Sequence, residues 1–510
     1  MLDEIKTDAV FGVIGVCGIN GNLIARILSD NGYKVIANDT LSKKDCKYSS
    51  ALNDYPDIKV YHGDIPESFY EQVDYVILPM ALIKSKSSLY KKITSLDIPV
   101  LTVYDIFDYF EPTHPVICIT GTNGKTTTTT LLKHLAYHDG IIPAEHNLEG
   151  MQGNAGDIPG LQARLKSDVT ILETGTAGVK GSLTELASPC RPDVGLITNI
   201  TPDHLNESSD FIAYARVKGE LINLLQEGTL VVNSDDPLVM ALIDEMAYDG
   251  NLITFGIEYE STQKSKKECL CGNFTEIDEY ISGVGIYECG CGNKYKKPDY
   301  RACNINDSHD RFTLKTPFEE VELKLAITGL HNIYNATGAI IIAHEILGIS
   351  YESIKEALLT FGGVSGRMEK IAHLNNKDIM VDYAHNPAGI TTVLKELKNH
   401  YGRVVNVITT SSESGIEGDK QIMQRALEYA DVVIPASYNS FVCAKELARD
   451  DEYANKIILP EYMPESTKVG TLGATLEQVL IGFNESLDID ADLIVCTGEA
   501  AFKYKDKLLN

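Results

Sequence analysis

A chain of 510 residues, 44% of them apolar, is too long for one hydrophobic core and rich enough to build several, so a multidomain globular protein is expected and disorder is not. Its 72 acidic against 45 basic residues leave a formal charge of -27, a surface that repels nucleic acid and anionic membranes. The first residues, Met-Leu-Asp-Glu, are acidic and lack a secretory pattern, and no run is apolar for the thickness of a bilayer, so a cytoplasmic protein without membrane insertion is expected.

From Val10 to about Phe110 strands and helices alternate. FGVIGV reads as a buried strand, residues 20–31 as a helix closed by Gly32, and YKVIAND and DYVILPM as later strands, the pattern of a parallel sheet. Gly12, Gly15, Gly18 and Gly21 recur at every third position after the first strand, but Cys17 occupies the second glycine position of the dinucleotide fingerprint. Asn38-Asp39-Thr40 ends the next strand, where a ribose-binding acid sits in such sheets. On these residues alone the unit reads as a Rossmann-like nicotinamide site with a damaged fingerprint.

After the turn-rich Glu111–Pro115 a second unit begins. PVICIT runs into Thr120-Gly121-Thr122-Asn123-Gly124-Lys125-Thr126-Thr127 and then a helical pattern. A glycine turn between strand and helix aims backbone N–H groups and the helix dipole at one point, which suits phosphate. Lys125 would reach the outer phosphates and Thr126 would ligate Mg²⁺. Ile119 stands where the strict motif has glycine, so only its Gly-Lys-Thr half matches. Further on, Glu173 ends the apolar run DVTILE, His204 lies in ITNITPDHLN, and Lys218 lies in the helical YARVKGELI. Each is weak alone, since strand-end acids, loop histidines and helix lysines are ordinary.

Residues from about 261 to 306 break the alternation. They are polar and hold two Cys-x-Cys-Gly knuckles, Cys269/Cys271 and Cys289/Cys291, with Cys303 beyond. Four thiolates on a short hairpin suit structural Zn²⁺, although CxC is a tighter chelate than the usual CxxC. Cys17, Cys118, Cys190, Cys443 and Cys496 read as single buried thiols. A turn-rich stretch, Gly362–Gly366, leads to a third unit with DIMVDYA, RVVNVITTSS, DVVIPAS and DLIVCTG as strands.

The shortened loop GTNGKTT after a buried strand resembles the Mur ligase and folylpolyglutamate synthetase superfamily, and other marks of the Mur ligases follow in order. The resemblance implies Mg²⁺ ligation by Thr126, Glu173 and His204, and carbamylation of Lys218 into a further oxygen ligand. Hard Mg²⁺ prefers such oxygens to an amine. Gly329–Asn335 resembles the helix start whose asparagine, here Asn332, contacts adenine. Gly366-Arg367-Met368-Glu369 resembles the opening of the third domain, with Arg367 on the nucleotide. Asp382–Pro387 resembles the DYAHNP loop, with Asp382 at the ribose and His385 beside it. Asn154, in Gly153–Gly156, is implied at the carboxylate substrate, and Thr174 is placed with it. The first unit resembles the UDP-binding domain of the MurC and MurD type, which folylpolyglutamate synthetases lack, with Gly15, Gly18, Asn20, Asp39 and Thr40 at the nucleotide.

The fold implied is α/β in three domains. They are a Rossmann-like UDP-substrate domain (1–112), a central P-loop ATPase-like domain (113–363) with a zinc-ribbon insertion (262–305), and a Rossmann-like amino-acid domain (364–510). The activity implied is ATP-dependent ligation of a free amino acid to a UDP-linked peptide through an acyl phosphate, releasing ADP and phosphate, by a monomer. The ribbon is similar to that of MurT-type amidating subunits. Together with the N-terminal domain, the chain looks most like the archaeal pseudomurein peptide ligases. A MurT-like subunit with a glutaminase partner, a non-catalytic ATP-binding zinc scaffold and a nicotinamide dehydrogenase are the lesser readings. Lys420 stands where the family has arginine, and ASYNS where diaminopimelate-adding ligases have DNPR, which leaves lysine, alanine and glutamate open as the amino acid added.

Overall fold

The computed structural model describes residues 5–148, 153–176, 178–203, 210–225, 227–261, 263–412, 415–465 and 473–509. The first sheet holds five parallel strands, Val10–Ile14, Lys34–Asp39, Lys59–His62, Tyr75–Ile77 and Val100–Leu101, in spatial order third, second, first, fourth, fifth. The winding reverses beside the first strand, and in open α/β sheets ligands bind at the carboxyl ends beside such a reversal. Four of the five residues in VFGVI are buried, as a central strand covered by helices on both faces must be. Helix Ile19–Asp30 packs Leu23, Ile24, Ile27 and Leu28 inward, and Gly32, at φ +83°, closes it as expected.

One cysteine departs from the sequence reading. Cys17, expected as a single thiol, is bonded to Cys46. The turn after the first strand and the loop after the second leave neighbouring parallel strands at the same sheet edge, so two residues 29 apart meet there.

The central sheet has eight strands. Five parallel ones, Thr170–Glu173, Val116–Thr120, Val194–Ile197, Thr229–Asn233 and Asn251–Ile257, are followed in space by Tyr300–Cys303, also parallel, and by the antiparallel Arg311–Lys315 and Glu320–Lys324. Between Asn251–Ile257 and Tyr300–Cys303 rises a separate antiparallel sheet, Gln263–Glu268, Phe274–Ile281 and Val284–Glu288, which is the cysteine ribbon. Tyr300–Cys303, inside the 262–305 stretch assigned to the ribbon, is instead an interior strand of the main sheet. Its single cysteine bonds to the carbonyls of Arg301 and Thr313, away from the other four.

The third sheet orders Glu369–Leu374, Lys377–Asp382, Leu493–Thr497, Val404–Ile408 and Val432–Pro435; its first pair is antiparallel and the rest parallel. All four strands expected in this unit form. The first two units share packing. Ile106, Phe107 and Phe110 join Leu148, Ile158, Leu161 and Leu165 in one apolar cluster. Within it the buried Arg164 guanidinium donates to the carbonyls of Phe107, Phe110, Gly160 and Pro189. Among the described residues no helix is long and apolar enough to cross a membrane.

Candidate active site

The fully buried strand Val116–Thr120 delivers the chain into the glycine turn, and helix Lys125–His138 leaves it. Gly121 and Gly124 take φ +133° and +88°. A Cβ would lie 2.1 Å from Thr198 Oγ1 at the first and 2.2 Å from Asn335 Oδ1 at the second, so neither position accepts a side chain. The turn is stitched to the loop after Val194–Ile197. Thr122 N donates to Asn199 O (2.8 Å), Asn123 N to Asn199 Oδ1 (3.1 Å), and Thr198 Oγ1 to Asn123 O (2.7 Å). The first-turn N–H groups of the helix have no partner inside it, a setting that favours an anion. Gly124→Ala is expected to weaken ADP binding about tenfold or more through left-handed strain and the clash with Asn335, as read by titration calorimetry. Unchanged affinity would mean that the turn does not carry the phosphates.

Lys125 donates to Thr122 O at 2.7 Å, folded back on its own loop. Burial lowers its pKa, against the pull of Glu173 and Asp203. Glu173 ends its strand. A Cβ built on Gly175 would sit 3.2 Å from Lys125 Cε, 3.9 Å from Glu173 Oε1 and 4.0 Å from Asn154 Nδ2, so these three side chains converge on one point. Lys218, on helix Phe211–Leu225, is 1% exposed. It donates to Thr176 O at 3.0 Å and lies 4.9 Å from the centre of the Tyr214 ring. Burial first, then repulsion from Lys125, pushes it down to about 7, opposed by Asp203 and Glu173. Beside it the Thr176 hydroxyl is buried without a partner among the described residues. His204 lies outside the described residues. Its neighbour Asp203 is 6% exposed, accepts from Asn386 Nδ2 (3.0 Å), and sits 3.8 Å from His385 Nε2.

A cavity runs from this turn along helix Leu330–Ile341 to the third unit. Gly124, Thr126 and Thr127 of the turn line it together with Phe255, Asn332, Arg367, Asp382 and His385. Asp382 is buried, and both its oxygens already accept backbone N–H groups, from Met368 and Ala384, so it also organises the loops that present Arg367 and His385. Burial raises its pKa against Arg367, whose guanidinium lies 4.8 Å from the Tyr383 ring centre.

Other expected residues are placed differently. Thr174 is fully buried and bonds Ile119 O, while Thr120 Oγ1 bonds Thr174 O; both clamp adjacent strands and do not face a substrate. At the first sheet, Gly15, Gly18, Asp39 and Thr40 gather at the carboxyl edge. Asp39 accepts from Cys17 N and Leu41 N, holding the glycine turn against the second strand, and Thr40 is exposed. Asn20 turns to the central unit and donates to Asp157. The sequence reading missed Asp203, Asn199, Asn335 and Asn386 as individual residues, although each lies inside or beside a quoted motif.

In the ribbon the four thiols come together as expected. Cys269 and Cys291 lie 3.8 Å apart and Cys271 and Cys289 3.7 Å apart, all four sulfurs within 4.8 Å. The two knuckles repeat one geometry. The N–H of Cys269 and of Cys289 bonds the carbonyl four residues on, and Gly272 and Gly292 N–H groups return to the first cysteine of each pair.

The family model described as "Mur ligase middle domain" matches residues 119–343, and "Mur ligase, glutamate ligase domain" matches residues 366–461. The structure is similar to that of a pseudomurein peptide ligase type C from Methanothermus fervidus, at 34% identity and TM-score 0.84, over 98% of this chain and 99% of that one. A UDP-N-acetylmuramate–L-alanine ligase of Bradyrhizobium diazoefficiens is 27% identical over 95% of this chain and 93% of its own. MurF ligase from Thermotoga maritima, solved with ADP, shares the fold at 16% identity and TM-score 0.55, over 100% and 95% of the two chains.

Proposed function

Because this chain belongs to the Mur ligase family, whose members are ATP-dependent amide ligases, we propose that it adds one amino acid to a UDP-linked peptide precursor of a pseudomurein wall. The observation that carries this reading is the convergence of Lys125, Glu173 and Asn154 on one point beside the phosphate turn, with Lys218 buried next to it.

The turn's N–H groups hold the phosphates of ATP, and Lys125 moves from Thr122 O onto the outer phosphate, neutralising charge in a site that excludes water. Asn332, Arg367, Asp382 and His385 hold the nucleoside. The acceptor carboxylate, oriented by Asn154, attacks the γ-phosphorus and ADP leaves. The amine of the incoming amino acid then attacks the acyl carbon, phosphate departs, and the amine gives up a proton. Magnesium, when bound by Thr126 and Glu173 and by His204 with Lys218, neutralises the oxygens that come together. Lys218 fits that role as a carbamate. Its depressed pKa leaves much of the amine neutral, able to add CO2 and release one proton, and the Thr176 hydroxyl waits beside it for an acceptor. The nucleotide of the acceptor lies in the N-terminal crevice at Gly15, Gly18 and Asp39. The four thiolates hold structural zinc, and the enzyme works in the cytoplasm as a monomer.

The test is phosphate release from ATP with UDP-linked peptide acceptors and a panel containing lysine, alanine and glutamate. Release that needs both acceptor and one amino acid is expected. Release that needs a glutaminase partner, or that ignores the acceptor, would sink the assignment.

A further inference from the structure

We propose that the turn at the ribbon's tip, Ile281-Ser282-Gly283-Val284, is the base-binding wall of the ATP pocket and a latch that holds the third domain over it; the inference rests on the ATP-site reading above. Ser282 and Gly283, at φ +42° and +78°, make a two-residue hairpin turn that pairs Ile281 with Val284. This tip is remote from the cysteines along both strands, yet Ile281, Ser282 and Val284 line the same cavity as Asn332 and Arg367. Val284 is buried in one apolar cluster with Phe255, and Ile281 packs against it. Apolar side chains and an asparagine amide lining one cavity suit a flat, amine-bearing heterocycle. Gly124, Thr126 and Thr127 of the phosphate turn line the same cavity.

The tip also crosses to the third domain. Ser282 Oγ lies 2.7 Å from Thr392 Oγ1 and donates to Ala388 O at 3.3 Å, both on helix Pro387–His400. One turn further along, Glu396 meets His309 of the central domain at 2.9 Å, on the face that carries Thr392. The cap of the same helix, Asn386, bonds Asn123 of the phosphate turn. A single helix face thus touches the ribbon tip and the central domain, and its start touches the phosphate turn. The tip is held from behind as well. Glu279 accepts from Gly283 N (3.0 Å), and Gly285 N donates to Asp235 O (2.9 Å). Zinc in the knuckles therefore fixes one end of a lever whose other end meets the base.

The test is titration calorimetry of the zinc-loaded full chain with Mg·ATP and, separately, with inorganic tripolyphosphate, which has no base. Ile281→Ala and Ser282→Ala are expected to weaken ATP about threefold to tenfold, with tripolyphosphate unchanged within about twofold. Ser282→Ala combined with Thr392→Val should be no worse than Ser282→Ala alone, since the hydrogen bond that Thr392→Val removes is already lost with the Ser282 hydroxyl. Stripping zinc with a chelator should reproduce the selective loss. ATP binding indifferent to Ile281 and Ser282, or equal loss for both ligands, overturns the tip's role alone. No ATP binding by the unmodified chain overturns the ATP-site reading and the tip's role with it.

Discussion

Lys218→Met is expected to lower turnover about a hundred- to a thousandfold while raising the melting temperature in CO2-free buffer. The two effects share one cause. An ammonium with almost no exposure pays desolvation that Thr176 O and the Tyr214 face only partly offset, which is why its pKa falls from 10.5 to about 7. Below pH 7 both folded and unfolded chains carry the proton, and the folded one bears the full penalty, on the order of 5 kcal/mol. Between pH 7 and 10.5 the folded amine is neutral while the unfolded one is still charged, so the penalty shrinks as pH rises and is gone above the unfolded value. The stability gained by methionine should therefore be largest at and below neutrality and vanish near pH 10.5. Turnover of the unmodified enzyme should fall as pH drops through about 7, because a protonated amine cannot add CO2. Melting curves and pH–rate profiles of both proteins check this. A methionine variant that kept half its turnover, or melted lower at pH 7, would defeat the argument.

Lys267→Ala is expected to be among the most destabilising single changes in the chain, at about 3–5 kcal/mol. Lys267 Nζ sits 2.8 Å from both oxygens of Asp236, and the two side chains are 5% and 0% exposed. Removing the cation strands a buried carboxylate. That carboxylate also accepts from Ile200 N and Leu238 N, so the disturbance reaches the Asn199–Thr201 segment that stitches the phosphate turn. Hydrogen exchange should speed up at Ile200 as well as in the ribbon, and Lys267→Met with Asp236→Asn should recover part of the loss. A shift under about 1 kcal/mol, with Ile200 unaffected, would show that water solvates the pair.

What the sequence disclosed, and what it hid, follows from chain distance. Strands such as Val116–Thr120 and Leu493–Thr497 are buried at every residue and read as unbroken apolar runs. The phosphate turn was legible because strand, glycines, lysine and helix are contiguous. Glu173, Lys218 and Asn154 are ordinary residues locally and became candidates through order and resemblance. Thr174 was misplaced because, one residue past the strand, its side chain points back into the sheet, a matter of pleat that motif reading ignores. The ribbon's approach to the nucleotide pocket left no local mark, since Ser282 meets Thr392 across 110 residues. The 262–305 stretch runs past the ribbon because the polar, Gly- and Cys-rich composition continues to about residue 306, whereas Cys303 sits buried in the main sheet with its thiol on the carbonyls of Arg301 and Thr313.

Arg164 has a consequence for how the molecule comes apart. Its guanidinium gathers carbonyls from Phe107 and Phe110 on one side and from Gly160 and Pro189 on the other, inside an apolar seam made by both units. A cut near residue 112, drawn where the sheets separate, would orphan that cation and bare Leu148, Ile158 and Leu161 to water. Counted by its three larger sheets the protein has three blocks, but by cohesion the first two are one. A donor module exchanged for residues 1–112 would have to bring its own half of the seam.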